Sequence, residues 1–508
     1  MSTTIQSILD AGNQAIRIDV ECHVSNGLPS IVIVGFANKA IEESKERIRG
    51  AFASSMLELP KKRITINLAP ADIPKDSTSF DLPIAVAILV ASGQIAGPVS
   101  AHTSFVGELG LDGNIRAVRG IIGKLLAGRQ KGLTTFYVPK DNAEQALLVP
   151  GLAVIPVKNM RELYLDLTKT VLLKRHRSGE HTPLVKSPEY IYDFKDVAGQ
   201  GRSKRALEIA AAGGHNILMS GAPGTGKSML AKALPSILPP MELEEILEVT
   251  HLHSLASKEY EQIVRVRPFR SPHHSASEIS IVGGGQYPRP GEISLAHRGI
   301  LMFDEFPEFG RNTIEALRQP LEDRVISVAR ARDSINFPAN FMLVATCNPC
   351  PCGYYGTGKS CSCLPYEISK YHRRLSGPIM DRIDLYVGVD EVKHRSLLRG
   401  DKEETSAKIQ QRVTRARNRQ LARYNDPLKQ NASLSNQDIK KFASLTKAAE
   451  DLLNQAAEHL TLSARSYMRI IRVARTIADL ANEAKIEVAH VSEALQYRQQ
   501  VLNHPSNA

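Results

Sequence analysis

The chain has 508 residues, with 64 Lys and Arg against 53 Asp and Glu, a formal net charge of +11 and a pI near 9.2. That length accommodates three or four domains, each with its own core, and the charge favours an anionic partner. Tryptophan is absent, so base stacking is not a dominant mode of recognition; no charged-then-apolar leader opens the chain, and the longest apolar stretch, Leu82 to Val90, is too short to span a bilayer, so a cytoplasmic protein without membrane contact is expected.

From Met1 to about Leu173, β-branched runs (Ile31 to Val34, Ile64 to Leu68, Phe136 to Val138) alternate with helical patterns at Lys39 to Ala53 and Ile121 to Lys131. This predicts a separate α/β domain over residues 1–173. A stretch rich in basic residues, Ser and Pro, Lys174 to Pro188, marks a linker over 174–191.

The run Asn216 to Met219, then Gly221-Ala222-Pro223-Gly224-Thr225-Gly226-Lys227-Ser228-Met229, then Leu230 to Leu238 predicts a strand, a phosphate-binding loop and a helix. The glycines let backbone N–H groups curl around a β-phosphate, Lys227 reaches the β/γ oxygens, and Ser228 offers a hydroxyl to Mg²⁺. Four apolar residues then end in Asp304-Glu305, a buried strand presenting Asp304 to the Mg²⁺ shell and Glu305 to the attacking water. Together the two motifs predict ATP hydrolysis.

Between them, Arg267 to Ala276 and Val282 to Gly291 are too rich in Pro and Gly for a long helix or central strand and read as an excursion from the core. After the Asp-Glu strand, Arg324 to Phe337 reads as a hairpin with Arg330 and Arg332 near its tip. Cys350-Pro-Cys352 and Cys361-Ser-Cys363 can supply four thiolates to Zn²⁺, with free thiols or a redox pair as alternatives, while Cys347 is expected to pack in the core. Beyond Val392 the pattern is helical (393–508), and Ser406 to Tyr424 carries Lys408, Arg412, Arg415, Arg417, Arg419 and Arg423 without one acid, more than solubility needs.

Val34 to Arg49, Asn67 to Lys75, Phe80 to Ala85 and Gly107 to Arg116 resemble the N-terminal domain of the YifB/ComM family of magnesium-chelatase-like AAA+ ATPases, and the resemblance runs nearly the whole chain. It implies an α/β protein with a Lon-protease-like N-terminal domain, an AAA+ core with a parallel sheet over 192–392 carrying the Cys-rich insert 347–363, and a helical lid. Asp196 to Gln200 matches the segment beside the adenine, Asn348 the sensor-1 position and Arg382 the arginine finger that crosses to the neighbouring subunit's γ-phosphate. Arg465 matches sensor 2, with Arg469 the fallback.

The resemblance further implies a homo-oligomeric, hexameric ring acting on single-stranded and branched DNA, with branch migration during recombination in natural transformation and recombination proteins as possible partners. Arg270, His273, His274 and Arg289 would line its pore, and Arg330 and Arg332 would touch phosphates. Lon-like proteases keep their nucleophile where Ser79 stands, but Ile122 occupies the place of their general-base lysine, so peptide hydrolysis is not expected. Two other functions stay open: a chelatase motor that inserts Mg²⁺ into a porphyrin, and a scaffold that uses ATP only to assemble.

Overall fold

The computed structural model describes residues 2–498 apart from 12–13, 36–38, 74, 76, 178–189, 258–261, 286–288, 330–333, 376 and 392–402. Two compact units divide the chain, Met1–Lys186 with Glu242–Arg265, and Ser187–Met241 with Val266–Ala508.

The first unit is built on an eight-stranded mixed sheet. Its first two strands, Ser2–Ala11 and Gln14–Ser25, form a long antiparallel hairpin that pairs Ile5 with Val20. The sequence pattern hid this hairpin because Ile5, Ile8 and Leu9 fall at helix-like spacing. Both faces of the sheet are covered, so Ile5 and Leu9 join one apolar cluster and Ile8 the other. The helix Asp81–Ala91, apolar all round, is buried in the first cluster; Ile121–Gln130 supplies Ile121, Ile122 and Leu125 to the second. Asp81 is buried at the start of its helix, which pushes its carboxyl up to about 6 although the Arg47 guanidinium lies 2.6 Å away. The helix expected over 39–53 is two, Lys39–Glu42 and Ser44–Ser54.

Two segments lie elsewhere than the linear division placed them. Residues Glu242–Arg265, expected in the ATPase core, belong to the first unit. There the helix Leu243–Ala256 sets Leu247 into the cluster of Ile121 and Leu125, and Gln145 Nε2 donates to Gln262 O at 2.9 Å. His176–Arg177, expected in the linker, pairs antiparallel with Ala153–Val157 as the edge of the sheet.

The second unit holds a five-stranded parallel sheet in the order Phe269–Arg270, Ile300–Phe303, Met342–Cys347, Ile217–Ser220, Leu385–Gly388. Its inner strands are near-continuous apolar runs because both faces are covered. Ile217–Ser220 is flanked by strands that come later in the chain, so the loop leaving it emerges where the strand order reverses, the usual place for a ligand in an open parallel sheet. The helices Ser406–Tyr424, Ala464–Leu480 and Val488–Gln496 share the apolar cluster of this sheet through Ile409, Val413, Ile470 and Val491.

The basic helix is a correction. Arg412 bonds Glu208 and Glu404, Arg417 the carbonyls of Pro427 and Lys429, Arg419 that of Asn482, and Arg423 the Asp479 carboxylate. Only Lys408 and Arg415 of the six are exposed, so most of this charge braces the fold. At its centre Arg475 is 0% and Asp479 2% exposed; Asp479 accepts from Arg475 at 3.1 Å, from Arg423 and from Asn431 at 2.9 Å. Replacing Asp479 with Ala leaves two guanidinium groups without their counter-charge, and the expected loss is about 3–5 kcal/mol, read as a lowered denaturant midpoint of the helical signal.

Candidate active site

The phosphate loop leaves strand Ile217–Ser220 and enters helix Lys227–Ala233. Gly224 and Gly226 adopt φ of 80° and 90°, left-handed values that favour glycine, and a Cβ on Gly221 would lie 2.3 Å from Val389 O. Lys227 Nζ donates to Gly221 O at 2.7 Å, Ala222 O at 2.8 Å and Asn348 Oδ1 at 3.3 Å. Burial holds this amine below the ordinary lysine range. A buried ammonium bonded to its own loop's carbonyls fits a phosphate site, since an anion in the loop would give it stronger acceptors.

Ser228 Oγ donates to Asp304 Oδ2 at 2.9 Å, Thr346 Oγ1 donates to Asp304 Oδ1, and Glu305 N donates to Thr346 Oγ1 at 3.0 Å. The Ser228 and Asp304 oxygens are the hard donors that Mg²⁺ takes. Thr346 escaped the sequence reading; the signal was a hydroxyl closing an otherwise apolar strand. Glu305 sits at φ 53° with an exposed side chain, a left-handed conformation uncommon for glutamate. Gln200, also left-handed, donates to Thr225 O at 3.3 Å and Asp390 O at 2.6 Å and so ties the segment Asp196 to Gln200 to the phosphate loop.

Arg382 lies at the other end of the sheet. Its carbonyl accepts from Asn216 Nδ2 at 2.9 Å, beside the start of strand Ile217–Ser220, whereas the phosphate loop follows that strand's end, roughly 13 Å away for four residues. In this chain its guanidinium pairs with Glu322 and donates to Pro378 O at 2.6 Å. Arg469 is buried, donates to Ile383 O at 2.6 Å and lies 5.8 Å from the Tyr386 ring, so this fallback residue is committed to packing. Arg465, one turn earlier, is exposed at the same end of the sheet.

Of the pore candidates, Arg270 forms a two-pronged ion pair with Glu292, at 2.5 and 2.6 Å, and is not available as a free phosphate contact. His273, His274 and Arg289 are exposed; the two imidazoles stack at 4.1 Å, and His273 Nδ1 shares a hydrogen bond with Ser275 Oγ at 2.7 Å. Strands Val325–Ala329 and Ser334–Pro338 make the expected hairpin, whose tip residues Arg330 and Arg332 lie outside the described residues. In the first unit Ser79 is fully buried and its Oγ meets Ser77 Oγ at 2.7 Å, while Lys75 donates to Pro70 O and Ile122 is buried.

Cys350, Cys352, Cys361 and Cys363 bring their sulfurs within 4.8 Å of one another, and this set could hold a metal ion. Cys347 is buried in its strand, and burial raises its thiol pKa. Among the described residues no helix is long and apolar enough to cross a membrane.

Known proteins match along the whole chain. Family models described as magnesium chelatase, subunit ChlI, as subunit ChlI of Mg-chelatase, and as the magnesium chelatase subunit ChlI C-terminal region match residues 193–397, 20–142 and 403–498. Competence protein ComM of Haemophilus influenzae is 42% identical over 511 residues, covering 98% of this chain and 97% of that protein. The uncharacterized protein YifB of Escherichia coli is 42% identical over 492 residues, 96% of this chain and 95% of its own. A Lon protease of Buchnera aphidicola is 25% identical over 166 residues, 30% of this chain and 21% of that protein. With its P-loop core, Lon-like first domain and helical lid, this chain belongs to the YifB/ComM family of magnesium-chelatase-like AAA+ ATPases.

Proposed function

We propose that the chain is an ATP-driven DNA motor, a hexameric ring that moves along single-stranded and branched DNA and promotes branch migration in homologous recombination during natural transformation. The observation that carries this reading is the separation of two sets of groups on one sheet. Lys227, Ser228, Asp304, Glu305 and Asn348 gather where the strands end; Arg382 and Arg465 stand where they begin. A chain built this way completes its neighbour's site and not its own, so turnover requires a ring. The competence protein ComM, with which nearly the full length aligns, points to DNA as the polymer moved.

In this reading the backbone of Gly221 to Gly226 and the Lys227 ammonium hold the β- and γ-phosphates. Ser228 and Asp304 hold Mg²⁺, which when bound neutralises charge on the phosphate oxygens. Asn348 orients the attacking water and the Glu305 carboxylate accepts its proton, free to do so because its side chain is exposed and its backbone N–H is pinned by Thr346. Exposed His273, His274 and Arg289, together with Arg330 and Arg332, would contact phosphates of the threaded strand.

A chelatase motor remains a second reading because a model named for a chelatase subunit matches residues 20–142, so the first unit does not separate the two functions. Single-stranded DNA separates them. A DNA motor shows ATP turnover stimulated by the oligonucleotide, with affinity falling steeply across a salt series; absence of stimulation at low salt favours the chelatase or the scaffold.

Glu305→Gln is expected to keep ATP binding while phosphate release falls about 10²–10⁴-fold, and Lys227→Ala to lose binding of a fluorescent ATP analogue. Neither Arg382→Ala nor Lys227→Ala chains should turn over alone. Mixed, they form seams with one intact lysine and one intact arginine, and part of the activity should return; a mixture as inactive as its components would rule out the trans-acting arginine.

A further inference from the structure

We propose that Cys350, Cys352, Cys361 and Cys363 hold one Zn²⁺ and that this ion braces the phosphate loop. The sulfur positions fit a tetrathiolate centre. Sγ of Cys350 lies 3.3 Å from that of Cys352 and 3.7 Å from that of Cys361, and Cys352 to Cys361 is 3.5 Å. A tetrahedron with Zn–S bonds of about 2.3 Å has sulfur edges of about 3.8 Å, so each of these pairs needs an adjustment of only a few tenths of an ångström.

Backbone donors are aimed at the sulfurs as well. Tyr355 N lies 3.3 Å from Cys350 Sγ and Cys352 N lies 3.4 Å from Cys363 Sγ. An N–H directed at sulfur stabilises a thiolate more than a thiol. Binding Zn²⁺ would release the four thiol protons to solvent and leave a centre of net charge −2, which such donors offset.

The chain between the two Cys pairs supplies a reason for the metal. Residues 351–364 form no helix or strand, and Gly353, Gly356 and Gly358 lower the stiffness of the loop. Without a cross-link, ordering it costs backbone entropy that few apolar contacts return. The ordered loop nonetheless packs on the nucleotide site. A Cβ on Gly353 would lie 2.5 Å from Pro223 Cδ, so the backbone after Cys352 touches the phosphate loop directly. Residues Tyr355 to Gly358 also wall a cavity of about 950 Å³ whose lining includes Gly221, Ala222 and Thr225. The metal would clamp the end of the Asn348 strand to the start of helix Pro365–His372 and hold this wall against the phosphate loop.

The brace rests on the reading that this loop binds nucleotide; the metal site does not. Full-length protein purified without added metal should carry about one zinc per chain by elemental analysis. Cys361→Ser with Cys363→Ser should lose that zinc while keeping its helical signal, and chelator-stripped wild-type protein, restored by Zn²⁺ alone, gives the same comparison without a substitution. In zinc-free protein, amide exchange across residues 221–228 should quicken at least tenfold, and affinity for a fluorescent ATP analogue should weaken by about tenfold or more. Lys227→Ala should retain zinc but bind no nucleotide. Protein that carries iron or no tightly held metal overturns the zinc site. Unchanged exchange across 221–228 after zinc removal overturns the brace. Zinc and zinc-dependent exchange in a wild-type chain that binds no nucleotide would uphold both and refute the nucleotide reading.

Discussion

The rest of the catalytic end depends on one carboxylate held between two hydroxyls. Asp304 leaves strand Ile300–Phe303, accepts from Ser228 at the start of the phosphate-loop helix, and accepts from Thr346 near the end of strand Met342–Cys347. Three segments distant in sequence bring their side-chain oxygens, two from Asp304 and one each from Ser228 and Thr346, to the same place. Parallel register makes this possible: Phe303 pairs with Ala345 and Ser220 with Cys347, so Asp304 leaves its strand beside Thr346 and close to the end of Ile217–Ser220. A register slip of one residue would turn Asp304 to the other face and separate it from both hydroxyls. Thr346 has a second task, accepting from Glu305 N, so a single hydroxyl sets the positions of the metal-side acid and of the neighbouring acid together.

The same sheet keeps Arg382 and Arg469 apart from that end. Arg382 is paired with Glu322, and the two partners differ in burial, the Glu322 side chain being 56% exposed and that of Arg382 11%. Arg469 is different. Buried and bonded to Ile383 O, it fixes the first turns of the lid helix against the segment that carries Arg382. The lid helix and the segment that carries Arg382 are thus joined by a buried contact.

The phosphate loop and the Asp-Glu strand were legible because their chemistry requires particular residue types at fixed spacing. Thr346 was not, because one hydroxyl at the end of an apolar strand has no pattern of its own and acquires meaning only through register. The opening hairpin was hidden by burial on both faces, which erases the alternation that marks a half-buried strand. Residues 242–265 were assigned by linear order to the ATPase core; nothing local in a helix such as Leu243–Ala256 states which core receives Leu247. Arg270 and the helix Ser406–Tyr424 were read as available charge because sequence shows the cation and not its partner. Glu292 stands 22 residues from Arg270, and Asp479 stands 56 residues from Arg423.

Those internal pairs each remove one cation and one anion, so the excess of +11 is carried by groups other than the paired ones. Arginines that neutralise buried carboxylates or cap carbonyls inside the lid are withdrawn from any field that could attract a polyanion, since a paired, partly buried charge projects little beyond its partner. In the proposed reading, phosphate contacts come from exposed groups in short loops, His273, His274 and Arg289 among the described residues. Few such contacts per chain would make each chain's grip weak. In the proposed ring, repetition would raise the local concentration of such contacts, and a grip that is weak per subunit and strong only in sum could be released and re-formed one subunit at a time.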